Sequence, residues 1–411
     1  KPPSTDLFPK QRTRVASGKK RKPGGQQGHP GTRLEPVGKP SIIETILLDR
    51  KILPPGKYEH AGFEKRQVFD IEISFSVTEY QAEILINENK DEFVADFPDG
   101  ITEPAQYGTG VKSTSVYLSQ YQLIPQARVQ DVLKTQYGLS LSKGSVNNFN
   151  ILASNTLQSL GFEDWIRGRL ISSPVLHADE TGIDINAKRY WIHCLCNESL
   201  TLFRADEKRG KEAMDRMGVL PNFKGKLIHD HWKPYFKYLC SHFLCNAHHL
   251  RELQRAFEQD NQKWAQTMIE LLVKINDTVT QAAGELPDES ALEFRMQYRK
   301  ILRKAQIECP ENLQQRAQSK SRNLLERLLE YEEETLMFME DTEVPFTNNQ
   351  GERDLRMTKV QQKISGCFRS TRGAKDFCLL RSYLSTCRKN GVHPMEALRI
   401  LFSGKLPHFM T

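Results

Sequence analysis

At 411 residues, 27% charged and 38% hydrophobic, the chain is too long for one ordinary core, so about two to four domains are expected; it also holds no apolar run of about 18 residues to span a membrane. The formal charge of +7 is concentrated: residues 1–40 carry ten Lys or Arg against Asp6 and Glu35, a local balance of +8 that leaves −1 for the other 371. All eight cysteines follow residue 190 without the regular pairing of a small secreted scaffold, which favours a reduced, cytoplasmic chain.

Nothing at the start reads as a secretion signal, and a first residue of Lys1 rather than Met points to missing upstream sequence. Residues 1–40 include "SGKKRKPGGQQGHPG", with five Gly and no aromatic residue, which cannot bury enough surface to fold alone. A flexible arm tracking DNA phosphates through Lys19, Lys20, Arg21 and Lys22 is expected, a merely solvated tail being the competing reading. Over 41–104, "QVFDIEISFSVTEYQAEILIN" alternates apolar and polar residues in two runs, the pattern of half-buried strands in a small β module.

Residues 105–170 switch to helical spacing. A helix through Val129, Val132 and Leu133 meets the turn "YGLSLS", and Ser142 is placed to cap a second helix carrying Val146 and Phe149. This is helix-turn-helix grammar, in which Lys143 and Asn147 would face DNA, although any helical hairpin looks alike. From 171 to 256 the order is three strands, a helix and two further strands. Asp179 in "VLHADETGI" is expected at the end of the first strand, where Thr181 and Gly182 break the pattern, and Asp230 in "HDHW" at the end of the fourth. Residues 257–344 read as all helical, and 345–411 as terminal helices, the first opening in "NNQGERDLR".

Strand ends that lie side by side would bring Asp179 and Asp230 together, and paired carboxylates repel unless a cation sits between them. Hard oxygen ligands suit magnesium or manganese. Glu352 is the candidate third acid, and Asp354, about 200° further around the helix, should face away. Each acid also has an ordinary reading: strand-end caps for the aspartates, and for Glu352 the third residue of a capping box opened by Asn349. Glu180, on the opposite face of the strand from Asp179, is assigned to the fold.

Taken together, these residues resemble the IS66-type transposases, members of the RNase H-like DDE group. The resemblance runs from "KPGGQQGHPG" through "RQVFDIEISFSVTEYQAE", "FPDGITEPAQYGTGVKSTSVYLSQYQLIP", "HADET", "HDHW", "CNAHHLREL" and "NNQGERDLR" to "FRSTRGAKDFCLLRSYLSTCRKNGVHP". It implies an α/β catalytic core, a mixed sheet flanked by helices, with residues 171–256 and 345–411 completing it around an all-α insertion at 257–344. It implies Asp179, Asp230 and Glu352 as catalytic and metal-binding residues, with two magnesium or manganese ions per active site. The implied reaction cleaves element ends and joins their 3′-hydroxyls to target DNA. Implied partners are terminal inverted repeats, target DNA, a second copy or more of the chain, and accessory proteins of the same element.

The chain departs from the family at "LLDRKILPPGKYEHAGFEKRQVFDI", where the cysteines of a small zinc element are missing. Cys240, His242, Cys245, His248 and His249 invite a zinc reading, yet "SHFLC" also reads as a buried strand, and Cys245 with His248 matches a C-x-x-H signature that supports the core in such enzymes; zinc is therefore not expected. His177, His229 and His231 are placed as further support, one of the last two buttressing the site and the other meeting DNA or solvent. A basic run after the third acid, Arg353, Arg356, Lys359, Lys363, Arg369, Arg372 and Lys375, would clamp phosphates. Competing functions are an inactive transposase-derived DNA-binding protein and a zinc-dependent hydrolase.

Overall fold

A computed structural model describes residues 34–411 except 50, 52, 72, 283, 313 and 315–317, so the arm residues Lys19, Lys20, Arg21 and Lys22 lie outside the described residues. The chain divides near residue 77 into two units. Described residues 34–76 of the first contain no strand and only an isolated helical residue. In the second, β1 (Ile84–Ile86) and β2 (Glu92–Val94) make a three-residue antiparallel hairpin whose side chains are all exposed.

The expected pair of half-buried strands is therefore corrected. Alternation makes a strand only when a ladder partner and a covering layer are present, and Val68 and Val77 stand 91% and 84% exposed.

Helices α1 (Thr109–Val116), α2 (Gln126–Tyr137), α3 (Lys143–Ser159) and α4 (Phe162–Ile171) follow, with a π-helical turn at Tyr117–Tyr121. Gly138 ends α2 at φ 67, a left-handed conformation that glycine adopts without a Cβ clash, and the Ser142 hydroxyl accepts from Ser145 N–H at 2.9 Å to cap α3. The helical hairpin thus forms as its sequence predicts. It is not free-standing: Val129, Leu133, Val146, Phe149, Ala153 and Leu157 join one apolar core with Leu176, Ala178 and Leu195 of the sheet.

Five strands, β3 (Val175–Ile185), β4 (Lys188–Cys196), β5 (Thr201–Asp206), β6 (Lys226–His229) and β7 (Ser241–Leu244), with α5 (Lys211–Met217) before β6, form a mixed sheet in the order β5-β4-β3-β6-β7. The first three are antiparallel and the last two run parallel to β3. β3 does not stop after its two acids: Thr181 pairs with Ile192 and Gly182 with Trp191, and the strand continues to Ile185. Asn186 and Ala187, both at positive φ, make the tight turn into β4, so the hairpin ladder overrides the weak strand preference of Thr-Gly.

Helices α6 (Asn246–Asp260), α7 (Lys263–Gln281), α8 (Asp288–Glu308), α9 (Lys320–Glu330) and α10 (Glu332–Leu336) make the expected helical stretch. α11 (Asn349–Ser365), α12 (Thr371–Lys389) and α13 (Pro394–Phe402) close the chain. Leu355 of α11 and Phe377 of α12 pack on Ile183, Cys194 and Phe203, which seats the start of α11 across β3. Among the described residues no helix is long and apolar enough to cross a membrane.

Candidate active site

The parallel ladder of β3 with β6 ends at the pair His177–Ile228; Asp179 lies two residues further along β3, Asp230 directly follows β6, and the two carboxyls are close enough for the charge of Asp230 to act on Asp179. Beyond Asp230 the chain turns sharply, with His231 at φ 72, a conformation uncommon outside glycine. The Asp179 carboxylate accepts from the Glu180 N–H at 2.8 Å and that of Asp230 from the Trp232 N–H at 3.1 Å; neither enters an ion pair among the described residues. Burial, with the negative charges of Glu180 and Asp230 beside it, pushes the Asp179 carboxyl up to about 8. Asp230 is raised by burial and by Glu180, against the pull of His248. Two crowded carboxyls without a countercharge form a donor set that fits a hard divalent cation.

The third acid arrives on α11. Asn348, the residue before the helix, ties three elements together: its amide donates to the Ala178 carbonyl at 2.7 Å, its Oδ1 accepts from His177 Nδ1–H at 2.8 Å, and its backbone N–H donates to Cys245 Sγ at 3.1 Å. A Cβ on Gly351 would meet the Asn348 amide at 3.1 Å and Asp179 Cβ at 3.4 Å, so a bare backbone lets the helix approach the strand here. Glu352 follows, its carboxylate bonded by Arg251 at 2.9 Å and 3.9 Å from His248 Nδ1. His248 lies in the field of both Asp230 and Glu352, but burial, with Arg251 beside it, lowers its pKa.

Among the described residues, the groups of possible metal ligands that gather within 4.8 Å of one another are Cys245–His248–Glu352 and Cys194–Cys196–Asp354. The three acids are not such a group; Asp179 lies in the field of Asp230, and Glu352 stands by His248 and Arg251. Asp354 faces away as its helix spacing predicts, bonded to Lys389 at 2.5 Å and to the Thr201 hydroxyl at 2.8 Å. The capping box gives way to a different cap, since Asn348 rather than Asn349 precedes the helix and its side chain holds β3.

His229 is a buttress. The His231 N–H donates to its Nδ1 at 3.2 Å, which leaves its Nε2–H for His242 Nδ1 at 3.2 Å and the His242 Nε2–H for the Tyr238 carbonyl at 3.1 Å. His231 is half-buried: its ring packs edge-on against Tyr331 and Phe236, and burial, with Arg327 and Lys233 nearby, pulls it down to about 4. Glu180 holds the fold yet stays within the site's field. Its carboxylate, 1% exposed, binds Arg209 at 2.6 Å and the Tyr235 hydroxyl at 2.6 Å, and Arg209 lies between the rings of Trp191 and Trp232.

The seven basic residues after Glu352 are all exposed. Arg356, Lys359 and Lys363 lie four, seven and eleven residues after Glu352, so they extend its face of α11 as one stripe, and Lys359 is near enough to pull down the pKa of Asp179. Arg353 turns to Gln350, and Arg372 is taken by Asp376 at 3.0 Å and Asn155 at 2.7 Å. Arg369 lies between α11 and α12, and Lys375 in the first turns of α12. Lys143 and Asn147 occupy the exposed face at the start of α3, with Asn147 accepting from Gln126 at 3.4 Å.

Sequence reasoning passed over Asn348, Gly351, Arg251 and Arg209. "NNQGE" carried a signal for the first two, an Asn and a Gly ahead of an acid at a helix start; the two arginines act over long separations and left none.

The model of the family described as Transposase IS66 family matches residues 104–376. No curated protein matches the chain. Among solved structures, a chain from the cryo-EM structure of the simian T-cell lymphotropic virus intasome in complex with PP2A regulatory subunit B56 gamma is similar at 10% identity. The similarity covers 51% of this chain and 74% of that one with a TM-score of 0.15, too low to carry an argument.

Proposed function

Because the chain belongs to the IS66 transposase family, the match spanning most of its length, we propose that it cleaves the ends of a mobile element and joins the freed 3′-hydroxyls to target DNA by DDE chemistry. In this reading β3 to β7 with α11 and α12 make an RNase H-like core split by the helical stretch at 257–344, and residues 1–40, 41–104 and 105–170 precede it as arm, small module with the β1–β2 hairpin and DNA-contacting helices. Asp179, Asp230 and Glu352 are its catalytic carboxylates. The observation that carries the reading is that Asp179 on β3 feels the charge of Asp230, the residue after the neighbouring parallel strand, while Gly351 of α11 sits against Asp179 and the next residue of that helix is Glu352.

Magnesium or manganese, as two ions held by these carboxylates, supplies when bound the positive charge that activates the attacking oxygen and stabilises the leaving one. The protein's share is to position. Asn348 and His177 fix α11 on β3, His229 stiffens the turn at Asp230, and Arg251 holds Glu352 until it is needed. Arg356, Lys359 and Lys363 bind the phosphates leading to the acids, and Lys143 with Asn147 contact duplex DNA from α3. Terminal repeats and target DNA are the substrates, pairing of two ends calls for at least a dimer, and the setting is the bacterial cytoplasm.

The test is joining of element-end DNA by the purified chain with magnesium, lost on Asp179→Asn. The engagement of Glu352 by Arg251 favours one second reading, a transposase-derived protein that binds ends without cutting them. End binding with no cleavage by the wild type would select it.

A further inference from the structure

The five soft ligands in "CSHFLCNAHH" do not assemble. His249 is buried against Asn246, and Cys240 and His242 face each other at 3.9 Å. Cys245 and His248 instead turn toward α11, where their ligand atoms and a Glu352 oxygen all lie within 4.8 Å of one another. We propose that Cys245, His248 and Glu352 form a site for a thiophilic divalent cation, zinc first, distinct in ligand chemistry from the all-carboxylate site and sharing Glu352 with it.

Geometry, donor chemistry and an unsatisfied atom support this site. Ligands at about 2.0–2.3 Å from a tetrahedral zinc stand roughly 3.3–3.8 Å apart, and His248 Nδ1 is 3.9 Å from Glu352 Oε1, so small rotations bring the atoms to bonding distance. The donor set of sulfur, imidazole nitrogen and carboxylate oxygen is what zinc prefers and magnesium does not. His248 Nδ1 is buried with no hydrogen-bond partner, which an ion would supply.

Cys245 precedes the fifteen-residue α6 and its buried sulfur accepts the Asn348 N–H, so the backbone holds the sulfur in place beside His248. Binding breaks the Cys245 S–H bond, forms the sulfur–metal bond and releases one proton to solvent, with no change of oxidation state. Arg251 bonds the same Glu352 oxygen that faces His248, so a cation either takes the other oxygen or displaces the arginine.

The consequence for activity rests on the proposed DDE reading: an ion here draws Glu352 away from Asp179 and Asp230, so zinc inhibits joining supported by magnesium. The site itself is tested without activity. Metal-free full-length protein is titrated with cobalt(II) and the thiolate-to-cobalt absorption followed, then displaced with zinc. The expected result is a band in wild type that zinc removes, that is lost in Cys245→Ser, and an affinity lower by at least about tenfold in His248→Gln. No band in folded wild type, or a band that persists in Cys245→Ser through Cys194 and Cys196, overturns the site. Should Cys245→Ser fail to fold, undiminished cobalt affinity in His248→Gln overturns it equally. A cobalt band in a protein that joins no DNA would leave the site standing and remove only the inhibition.

Discussion

Asp179 on β3 lies within the field of Asp230, the residue that follows the parallel strand β6, with no basic side chain paired to either carboxylate among the described residues. Their crowding has a cost that folding bears and a bound cation would relieve. With its folded pKa raised to about 8, Asp179 keeps a proton that the unfolded chain releases near 4.

Between those values the native state binds more protons, so stability falls as pH rises from about 4 to about 8 and levels off above. Asp179→Asn removes this loss. The metal-free variant should therefore melt higher than wild type at pH 8, by a difference on the order of a few kcal/mol that closes toward pH 4. Thermal melts of both proteins across that range check it; parallel curves would show that Asp179 is not crowded.

Gly351→Ala adds a Cβ tight against Asn348 and close to Asp179. Alanine's helix preference, worth about 1 kcal/mol, offsets a packing penalty of about 1–3 kcal/mol, so the melting temperature should move little. Displacing α11 from β3 misplaces Glu352, and the joining rate should fall about tenfold or more. An unchanged rate would show that this contact does not position the acid.

Asn348→Ala takes away the acceptor of the buried His177 ring N–H and the side-chain donor to the Ala178 carbonyl. Orphaned polar groups of this kind cost about 1–3 kcal/mol each. Chemical denaturation should show a loss of at least about 2 kcal/mol, whereas removal of an exposed side chain such as Arg353 should change little.

For the basic stripe the readout is the salt dependence of DNA binding. Arg356→Ala, Lys359→Ala and Lys363→Ala should each weaken binding and lower the slope of log affinity against log salt by about 0.9. Arg372→Ala should leave the slope unchanged, because its guanidinium is held by Asp376 and Asn155. Equal slopes for all four would refute the stripe.

Much of this arrangement was legible in the sequence because it is local. Ser142 caps α3 and Gly138 ends α2 by rules a few residues long, and the strand order of the sheet puts β6, which Asp230 follows, beside β3, which carries Asp179. What escaped depends on distant partners. Thr181 and Gly182 read as a strand end, yet β4 holds them in the ladder; the alternating run beginning at Gln67 reads as strands, yet no covering layer meets it among the described residues. Choosing between Asn348 and Asn349 as the cap turns on a hydrogen bond to a carbonyl 170 residues away, and the partner of Glu352 is an arginine 101 residues before it.

The most direct measurement is joining of labelled element-end DNA with magnesium by wild type and by Asp179→Asn, Asp230→Asn and Glu352→Gln, each first shown to be folded and to bind the DNA. The expected result is joined product from wild type and loss of at least about a thousandfold in all three variants, a barrier increase of roughly 4 kcal/mol. Product formed by Asp179→Asn at anything near the wild-type rate would contradict it.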